Sequence, residues 1–589
     1  MKFDAMETFI NHDSHLTTVR AVINYENINK PQRPMKPLLA ALLAVSIPLA
    51  VHAQAPVPPG AGALLQQVQP VPPPTPAPSG TGLTIERSDG AGLPPSAPFL
   101  VQTLQITGNT LFATPTLHAL VADAQGKSLT LPLLDKLAAR ITDYYRSQGY
   151  PLARAIIPAQ TIQSGIVRIE IIEARYGKIS LDNRSRVNSP LLEATLSSLQ
   201  SGQAIGENGL DNALLLLSDV PGVAVAATLK PGETVGTSDL LVNTTPGPAV
   251  SGNVVLDNYG NRYTGRARIG ATLNVINPLH HGDILTVSGL SSGSGMNYGR
   301  IAYESLLSGR GTRLGGAYSA LNYALGAPLA SLNAHGTAQV QNVWAKHPLL
   351  RSRDVNLYGQ LQVDQLRLRD HVDFSAIRTD RSLANWTLSV AGDARDAFLS
   401  DAVSSWYVGW TTGRVGFDNA AAQSADAGSA NTEGSFSKLN VNLARLQTLS
   451  PKNGLYLSIV GQWASTNLDP SQKMSAGGPY TVRAYDMGAV FGDTGVLGTI
   501  ELRHTLAVGW VGQWQAVAFV DSAHVTVNKN TWVAGTNSAT LSGAGVGLNW
   551  TGPNQWSART YIATPIGSRP ELVADTASTR VWVELWRGF

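Results

Sequence analysis

The chain has 589 residues and a formal net charge of +3, and Asp, Glu, Lys and Arg make up 14% of it, well below the roughly 25% usual in soluble proteins. No basic cluster with interleaved aromatics appears, which argues against a nucleic-acid partner. Cysteine is absent, which excludes a disulfide framework and a thiolate metal site.

Taken in chain order, the first element is a targeting segment. "MKPLLAALLAVSIPLAVHAQA" begins at Met35, with Lys36, an apolar run from Leu38 to Val51 and small residues before an expected cleavage after Ala53. This is the pattern of a secretory signal peptide, and the run is too short for a comfortable membrane helix. Residues 1–53 form this signal region, with Met35 as an alternative start. Residues 54–96 are a leader. "PGAGALLQQVQ" (Pro59 to Gln69) suits a short helix, and "PVPPPTPAPSG" (Pro70 to Gly80) is a stiff, extended linker.

Residues 97–174 read as a small α/β module. "FLVQTLQITGN" alternates and ends in a turn. "PLLDKLAARITDYYRSQGY" carries the helical stripe Leu134, Leu137, Ile141 and Tyr145, with Gly149 as a stop. "LARAIIPAQ" and "GIVRIEIIEA" are strands, so the order is β-α-α-β-β. Residues 175–247 repeat it: the strand "YGKISL", the helices "PLLEATLSSLQ" and "GLDNALLLLSDV", and the strands "AVAATLKPG" and "SDLLVNTTP".

Residues 248–589 replace the helical stripe with short alternating runs. In "VNLYGQLQVD", Val355, Leu357, Gly359, Leu361 and Val363 share one face, and Asn356, Tyr358, Gln360, Gln362 and Asp364 the other. In a soluble sandwich the apolar face meets a second sheet; in an outer-membrane barrel it meets lipid. Two observations favour the barrel. All 12 tryptophans lie at or after Trp344, many near run ends (Trp406, Trp410, Trp510, Trp514, Trp582, Trp586), as an aromatic girdle requires. The chain also ends "VWVELWRGF", a terminal strand closed by Phe589, with Val581, Val583 and Leu585 on its face and Arg587 interrupting it. The zone has room for about 16 tilted strands of ~10 residues each. The expected fold is an all-β transmembrane barrel of about 16 antiparallel strands after two α/β modules.

No catalytic constellation appears, and no cofactor or metal is expected. The 11 histidines show no metal-ligand spacing, and His280-His281 reads as a strand-to-strand turn. "GSGMNYG" (Gly293 to Gly299) is a Gly/Ser-rich loop without the lysine or helix of a phosphate loop. The chain is expected not to be an enzyme.

Several stretches, in order, resemble the two-partner secretion transporters, also called haemolysin activation/secretion proteins, of the superfamily that joins POTRA domains to a barrel. "PGAGALLQQ" resembles their plug helix. "SQGYPLARAIIPAQTIQSGIVRIEIIEA" matches the first POTRA pattern around Gly149, Tyr150 and Pro158. "ALLLLSDVPGVAVAATLKPGETVGTSDLLV" keeps Leu217, Pro221, Gly222, Leu229, Pro231, Gly232 and Asp239 in register with the second. "DNYGNRYTGRARIG" (Asp257 to Gly270) resembles the first barrel hairpin. Finally, "GGPYTVRAYDMGAVFGDTG" (Gly477 to Gly495) holds Val482, Arg483, Ala484 and Tyr485 where the superfamily has V-R-G-Y/F at the tip of an inward-folded loop. "FVDSA", with Phe519, Asp521 and Ala523, stands for its F-x-D-x-G wall motif.

The resemblance implies that Arg483 pairs with Asp521. Both motif glycines are alanine here, and Ala484 implies a tip with a tighter backbone. It also implies export of one large TpsA-type exoprotein, recognised in the periplasm by the POTRA modules and passed unfolded through the barrel. Adhesin, haemolysin and contact-dependent toxin all remain open as cargo. The further partners it implies are outer-membrane lipid and, during biogenesis, the barrel-assembly machinery and periplasmic chaperones. Two alternatives are weaker: a barrel-assembly insertase, which carries more POTRA copies, and a passive porin or adhesin, the porin needing no such modules. Whether residues 59–69 plug the pore, and whether the modules capture cargo by β-augmentation or act as spacers, stay open at this point.

Overall fold

A computed structural model describes residues 58–68, 83–85, 94–506, 511–573 and 577–589; the signal region, the proline-rich linker and Trp510 lie outside the described residues. The leader supplies helix α1 (Ala61–Val68) and a three-residue strand, β1 (Leu83–Ile85).

The first module contains β2 (Phe99–Val101), β3 (Thr103–Thr107), α2 (Thr114–Ala119), β4 (Lys127–Leu129), α3 (Leu131–Ser147), β5 (Arg154–Ile156) and β6 (Ile166–Ile172). The stripe Leu134, Leu137, Ile141 and Tyr145 packs α3 onto the alternate residues Leu104, Ile106, Val167 and Ile169 of the β3-β6-β5 sheet. Gly149, at φ +83°, follows α3, the left-handed position at which helices commonly stop. The sequence reading lacks β4, which pairs with β2 in a separate ribbon; three residues are too few to show a period.

The second module contains β7 (Arg175–Asn183), α4 (Ser189–Leu196), α5 (Glu207–Ser218), β8 (Val223–Pro231) and β9 (Thr237–Pro246). Leu192, Leu196, Leu210, Leu214 and Leu217 of its helices bury against Ala227, Leu229, Leu240 and Val242. Its sheet runs β1-β8-β9-β7, with β1 parallel to β8 from Leu83–Ala227 to Ile85–Leu229. The leader, expected as helix and linker alone, therefore also supplies the edge strand of this sheet.

The two modules share backbone hydrogen bonds, Ile205 N–H to Ala174 O (2.9 Å) and Glu207 N–H to Gly149 O (2.8 Å). Between them Glu173 is buried; it accepts from the Thr110 and Leu111 amides, the Thr110 hydroxyl and the Tyr145 hydroxyl.

Among the described residues sixteen antiparallel strands, from Val250–Asp257 to Arg580–Gly588, close into a barrel. No helix is long and apolar enough to cross a membrane among those residues. In the strand Val355–Val372, Leu361 and Val363 are exposed on the outer face, while Asn356 and Asp364 are buried on the inner one. Above Asp364 the polarity inverts: Gln365, Arg367 and Arg369 face outward and Leu366 and Leu368 inward. Charged residues on the outer wall mean that the strand has left the hydrocarbon. This corrects the expected ~10-residue strands, since a bilayer needs only about 9–11 residues and the strand Ile377–Asp396 has 20.

Trp386 and Trp410 are exposed on the outer face, edge to face at 4.9 Å. Trp582 is not part of that belt. It is buried on the inner side against Tyr259 and Met487, because Val581 and Val583 take the lipid face, and by the same alternation Trp586 joins the inner side.

The first and last strands pair from Asn253–Gly588 to Asp257–Glu584. Phe589 extends this seam by exchanging two 3.0 Å backbone hydrogen bonds with Gly252. Its ring lies over that glycine, where a Cβ would stand 2.5 Å from the ring edge. At the same end of the barrel the second module is fixed by ion pairs. Arg351 holds Asp219 through two bonds (2.7 and 2.9 Å), and Arg353 holds Asp211 (2.6 Å).

Candidate functional site

The connection 465–493 joins two barrel strands, Asn453–Ala464 and Thr494–Leu506, at the end remote from the modules, and it folds back into the lumen. Met474–Ala476 pairs with Val490–Gly492 as a short antiparallel stem. Gly477, Gly478 and Gly488 take φ of +100°, +116° and +68° at its shoulders, conformations open to glycine at no steric cost. At the tip Val482, Ala484 and Tyr485 are buried against Leu497, Val517, Phe519, Ala523, Leu541 and Ala563 of the inner wall.

Arg483 is buried among them. Its Nε and Nη2 donate to the two oxygens of Asp521 (2.8 and 2.9 Å), and its backbone N–H donates to Asp521 Oδ2 (3.1 Å). Nη1 donates to Glu501 Oε2 at 2.7 Å, and the guanidinium carbon lies 3.3 Å from the centre of the Phe519 ring. Glu501 also accepts from Arg503 (2.7 Å), and Thr499 donates to Asp521 (3.0 Å). Two cations thus face two carboxylates, with fork geometry satisfying most of the lone pairs, the condition under which buried ions are tolerated. Trp582 Nε1 donates to the Arg483 carbonyl at 2.7 Å, linking the tip to the last strand.

Glu501, Arg503 and Trp582 are the members that the motif comparison misses. Their signal is alternation: Thr499, Glu501 and Arg503 are every second residue of one strand, and Glu501 stands opposite Phe519 in register. Ala484 does not take a left-handed backbone. Its methyl occupies space left by Gly543, where a Cβ would come within 2.3 Å of it. The glycine that makes room here is on the wall and not on the loop.

Helix α1 also lies in the lumen. Ala61, Leu64, Leu65 and Val68 share one cluster with residues of eight consecutive strands, Met296–Leu306 to Asn453–Ala464, and side chains from so many neighbouring strands converge only inside a barrel.

Residues 236–550, just over half of the chain, match the family described as haemolysin secretion/activation protein ShlB/FhaC/HecB. The chain belongs to this family. Residues 99–174 match the ShlB-type POTRA domain.

Relatives agree with this membership. The heme/hemopexin transporter protein HuxB of Haemophilus influenzae (strain 86-028NP) is 27% identical over 469 residues, 79% of this chain and 82% of HuxB. The outer membrane transporter CdiB of Escherichia coli is 23% identical over 483 residues, 80% of this chain and 79% of CdiB. The hemolysin transporter protein HpmB of Proteus mirabilis is 24% identical over 403 residues, covering 64% and 66%. Among solved structures, CdiB from Escherichia coli superposes with a TM-score of 0.65 at 22% identity, covering 86% of this chain and 93% of that one, which shows the shared fold. CdiB from Acinetobacter baumannii gives 0.58 at 19% identity, covering 84% and 91%.

As a haemolysin secretion/activation protein, the chain is a transporter of the two-partner secretion type and not an enzyme. Its barrel sits in the outer membrane and its POTRA modules in the periplasm. The inward loop therefore enters the pore from the outer side, opposite the ion pairs that hold the modules.

Proposed function

We propose that the POTRA modules recognise one large exoprotein in the periplasm and that its unfolded chain crosses the barrel once α1 has left the lumen. The observation that carries this reading is the double placement of the leader. Residues 61–68 lie in the pore, and residues 83–85 cover the edge of β8. A sheet edge is where an extended client adds a strand. A client strand that pairs with β8 displaces β1, and β1 lies in the same leader as α1. Recognition in the periplasm and opening of the pore are then one event on one tether. The Arg483–Asp521–Glu501 cluster fixes the loop to the wall in the resting state. No ATP motif is legible in the sequence, and folding of the client outside supplies the direction. Insertion of the barrel into the outer membrane would use the barrel-assembly machinery and periplasmic chaperones.

The test replaces Leu83, Thr84 and Ile85 with Gly, Ser and Gly in the full chain. The freed edge binds the N-terminal secretion domain of the exoprotein several-fold more tightly, and conductance in planar bilayers rises. Unchanged binding refutes capture at β8. Export that persists after deletion of residues 97–246 refutes capture by the modules altogether.

A further inference from the structure

Above the hydrocarbon, the outward positions of three neighbouring strands carry a charge pattern of their own. On Val355–Val372 the outer face is apolar up to Val363 and continues as Gln365, Arg367, Arg369 and His371. Arg378 stands opposite His371 on Ile377–Asp396, and on the next strand Arg414 stands opposite Ala384. All four arginines are exposed. Among the described residues, none of their side chains forms a hydrogen bond or an ion pair. Arg367 and Arg369 are two residues apart on one strand, about 7 Å. Arg369 and Arg378 are diagonal neighbours across a strand pair, about 7–8 Å.

Cations at this spacing repel one another, and the nearby carboxylates face elsewhere. Asp380 stands opposite Arg369 in register, but its Oδ1 lies 3.6 Å from His371 Nε2, and Asp373 Oδ1 lies 3.5 Å from His335 Nε2. The charge is also gathered on one side. At the same end of strands elsewhere in the barrel the outward residues Asn297, Asn322, Ser522, Thr540 and Thr564 are uncharged.

Depth decides what can neutralise the patch. From Gln365 to His371 the strand climbs six residues past the boundary, which at ~3.4 Å per residue and a tilt of ~45° is about 14 Å. The headgroup layer of an ordinary phospholipid is only about 5–8 Å deep. A single phosphate at the boundary reaches Arg414 and leaves Arg369 and Arg378 in water. The exposed amides of Gln339, Gln341 and Gln365 lie among the arginines on the same face, and amides suit sugar hydroxyls as guanidinium forks suit phosphate. Below Arg414, the exposed Trp386 and Trp410 mark the interface from which acyl chains descend.

We infer that Arg367, Arg369, Arg378 and Arg414 form a binding site for a phosphorylated glycolipid of the outer leaflet. Its phosphates sit on the guanidinium forks, its sugars along the amides, and its acyl chains on the apolar band beside the two tryptophans. The site lies on the lipid side of the wall, so its occupant leaves the pore clear.

The experiment titrates the full chain in zwitterionic detergent micelles with lipid A carrying two phosphates, and native mass spectrometry counts the bound lipid. This lipid binds saturably. Dephosphorylated lipid A and phosphatidylglycerol bind at least about tenfold more weakly, through loss of the charged contacts. Arg367→Gln with Arg369→Gln weakens diphosphorylated lipid A about thirtyfold, roughly fivefold for each charge. Lysine at both positions recovers only part, because the fork is lost. Arg587→Gln, which removes an outward arginine at the periplasmic end, leaves binding unchanged. The four side chains bear no contact within the described barrel, so glutamine leaves it folded, as heat-modifiable gel mobility checks; the dephosphorylated lipid needs no variant at all. Equal binding of the two forms of lipid A, or of the parent and double-glutamine chains, overturns the inference. Phosphatidylglycerol bound as tightly as lipid A overturns it too, since one phosphate then suffices. Unchanged lipid binding with loss of exoprotein display at the cell surface overturns it in favour of contact with the exported chain.

Discussion

Replacing Arg483 with alanine tests how the loop is held. The guanidinium makes three side-chain hydrogen bonds, all between 2.7 and 2.9 Å, to two carboxylates that are themselves buried. Without it Asp521 keeps Thr499 and Glu501 keeps Arg503, and the remaining charge has no counterion. Removing one partner of a buried pair costs about 3–5 kcal/mol. The lumen admits water, so the lower end, about 3 kcal/mol, is the expected loss, equivalent to roughly a hundredfold shift toward the undocked loop. Hydrogen–deuterium exchange of segment 478–490 reads this shift, because the Arg483 amide is bonded to Asp521 and the Tyr485 amide to Val482 O. Arg483→Lys restores the charge without the fork and recovers only part of the protection. The reciprocal exchange, Arg483→Asp with Asp521→Arg, fails to restore it, because the new carboxylate faces Glu501. Unchanged exchange in Arg483→Ala refutes the electrostatic account, leaving apolar packing and the Trp582 bond to hold the tip. Full recovery in the reciprocal exchange refutes the role of Glu501.

The wall glycine makes a second prediction. Gly543→Ala drives a methyl into Ala484 and loosens the tip by about 1–3 kcal/mol; adding Ala484→Gly restores exchange protection, and a double variant no better than the single one contradicts the fit. A third concerns acid. Burial opposes ionisation of Glu173, but hydrogen bonds from the Thr110 hydroxyl, the Leu111 and Thr110 amides and the Tyr145 hydroxyl outweigh it and hold the carboxyl below its ordinary range. A pKa lower in the folded than in the unfolded state gives stability that is complete at neutral pH and is lost as pH falls through the carboxylate range to the depressed value. Thermal melts of residues 94–247 followed by circular dichroism between pH 7 and pH 3 therefore show a decline that Glu173→Gln flattens. Deleting Phe589 removes two seam hydrogen bonds, about 1–3 kcal/mol together. Semi-native gel electrophoresis should show a smaller heat-modifiable folded fraction, and an unchanged one argues that the terminal residue does not hold the seam.

How far the sequence reveals this structure depends on distance along the chain. Alternation in Val355–Asp364 is local, and it identifies lipid and lumen faces residue by residue. The helical stripe from Leu134 to Tyr145 does the same for α3. The misassignment of Trp582 arises from reading residue type ahead of parity, since its neighbours Val581 and Val583 already claim the outer face. Arg367 and Arg369 carry the information that the strand outlasts the bilayer, but only as an inversion of the pattern above Asp364. In the lumen Arg381 donates to both Asp370 and Asp469, joining residues from three separate segments, and nothing local marks any of them. β1 has three residues and acquires its meaning from an edge about 140 positions away, at Ala227–Leu229.

The barrel's wall is not of even height. Five residue pairs join the strands at its closure, from Asn253–Gly588 to Asp257–Glu584, whereas across the lumen Val355–Val372 matches Ile377–Asp396 along eighteen. Ladder strength accumulates pair by pair, so the cylinder is in effect scored along one line, and any force that widens it concentrates there. The indole of Trp582 is set on the strand beside that score and grips the Arg483 carbonyl. The loop is therefore riveted to the weakest line of the wall, and a load that frees the rivet falls first where the wall has least to resist it.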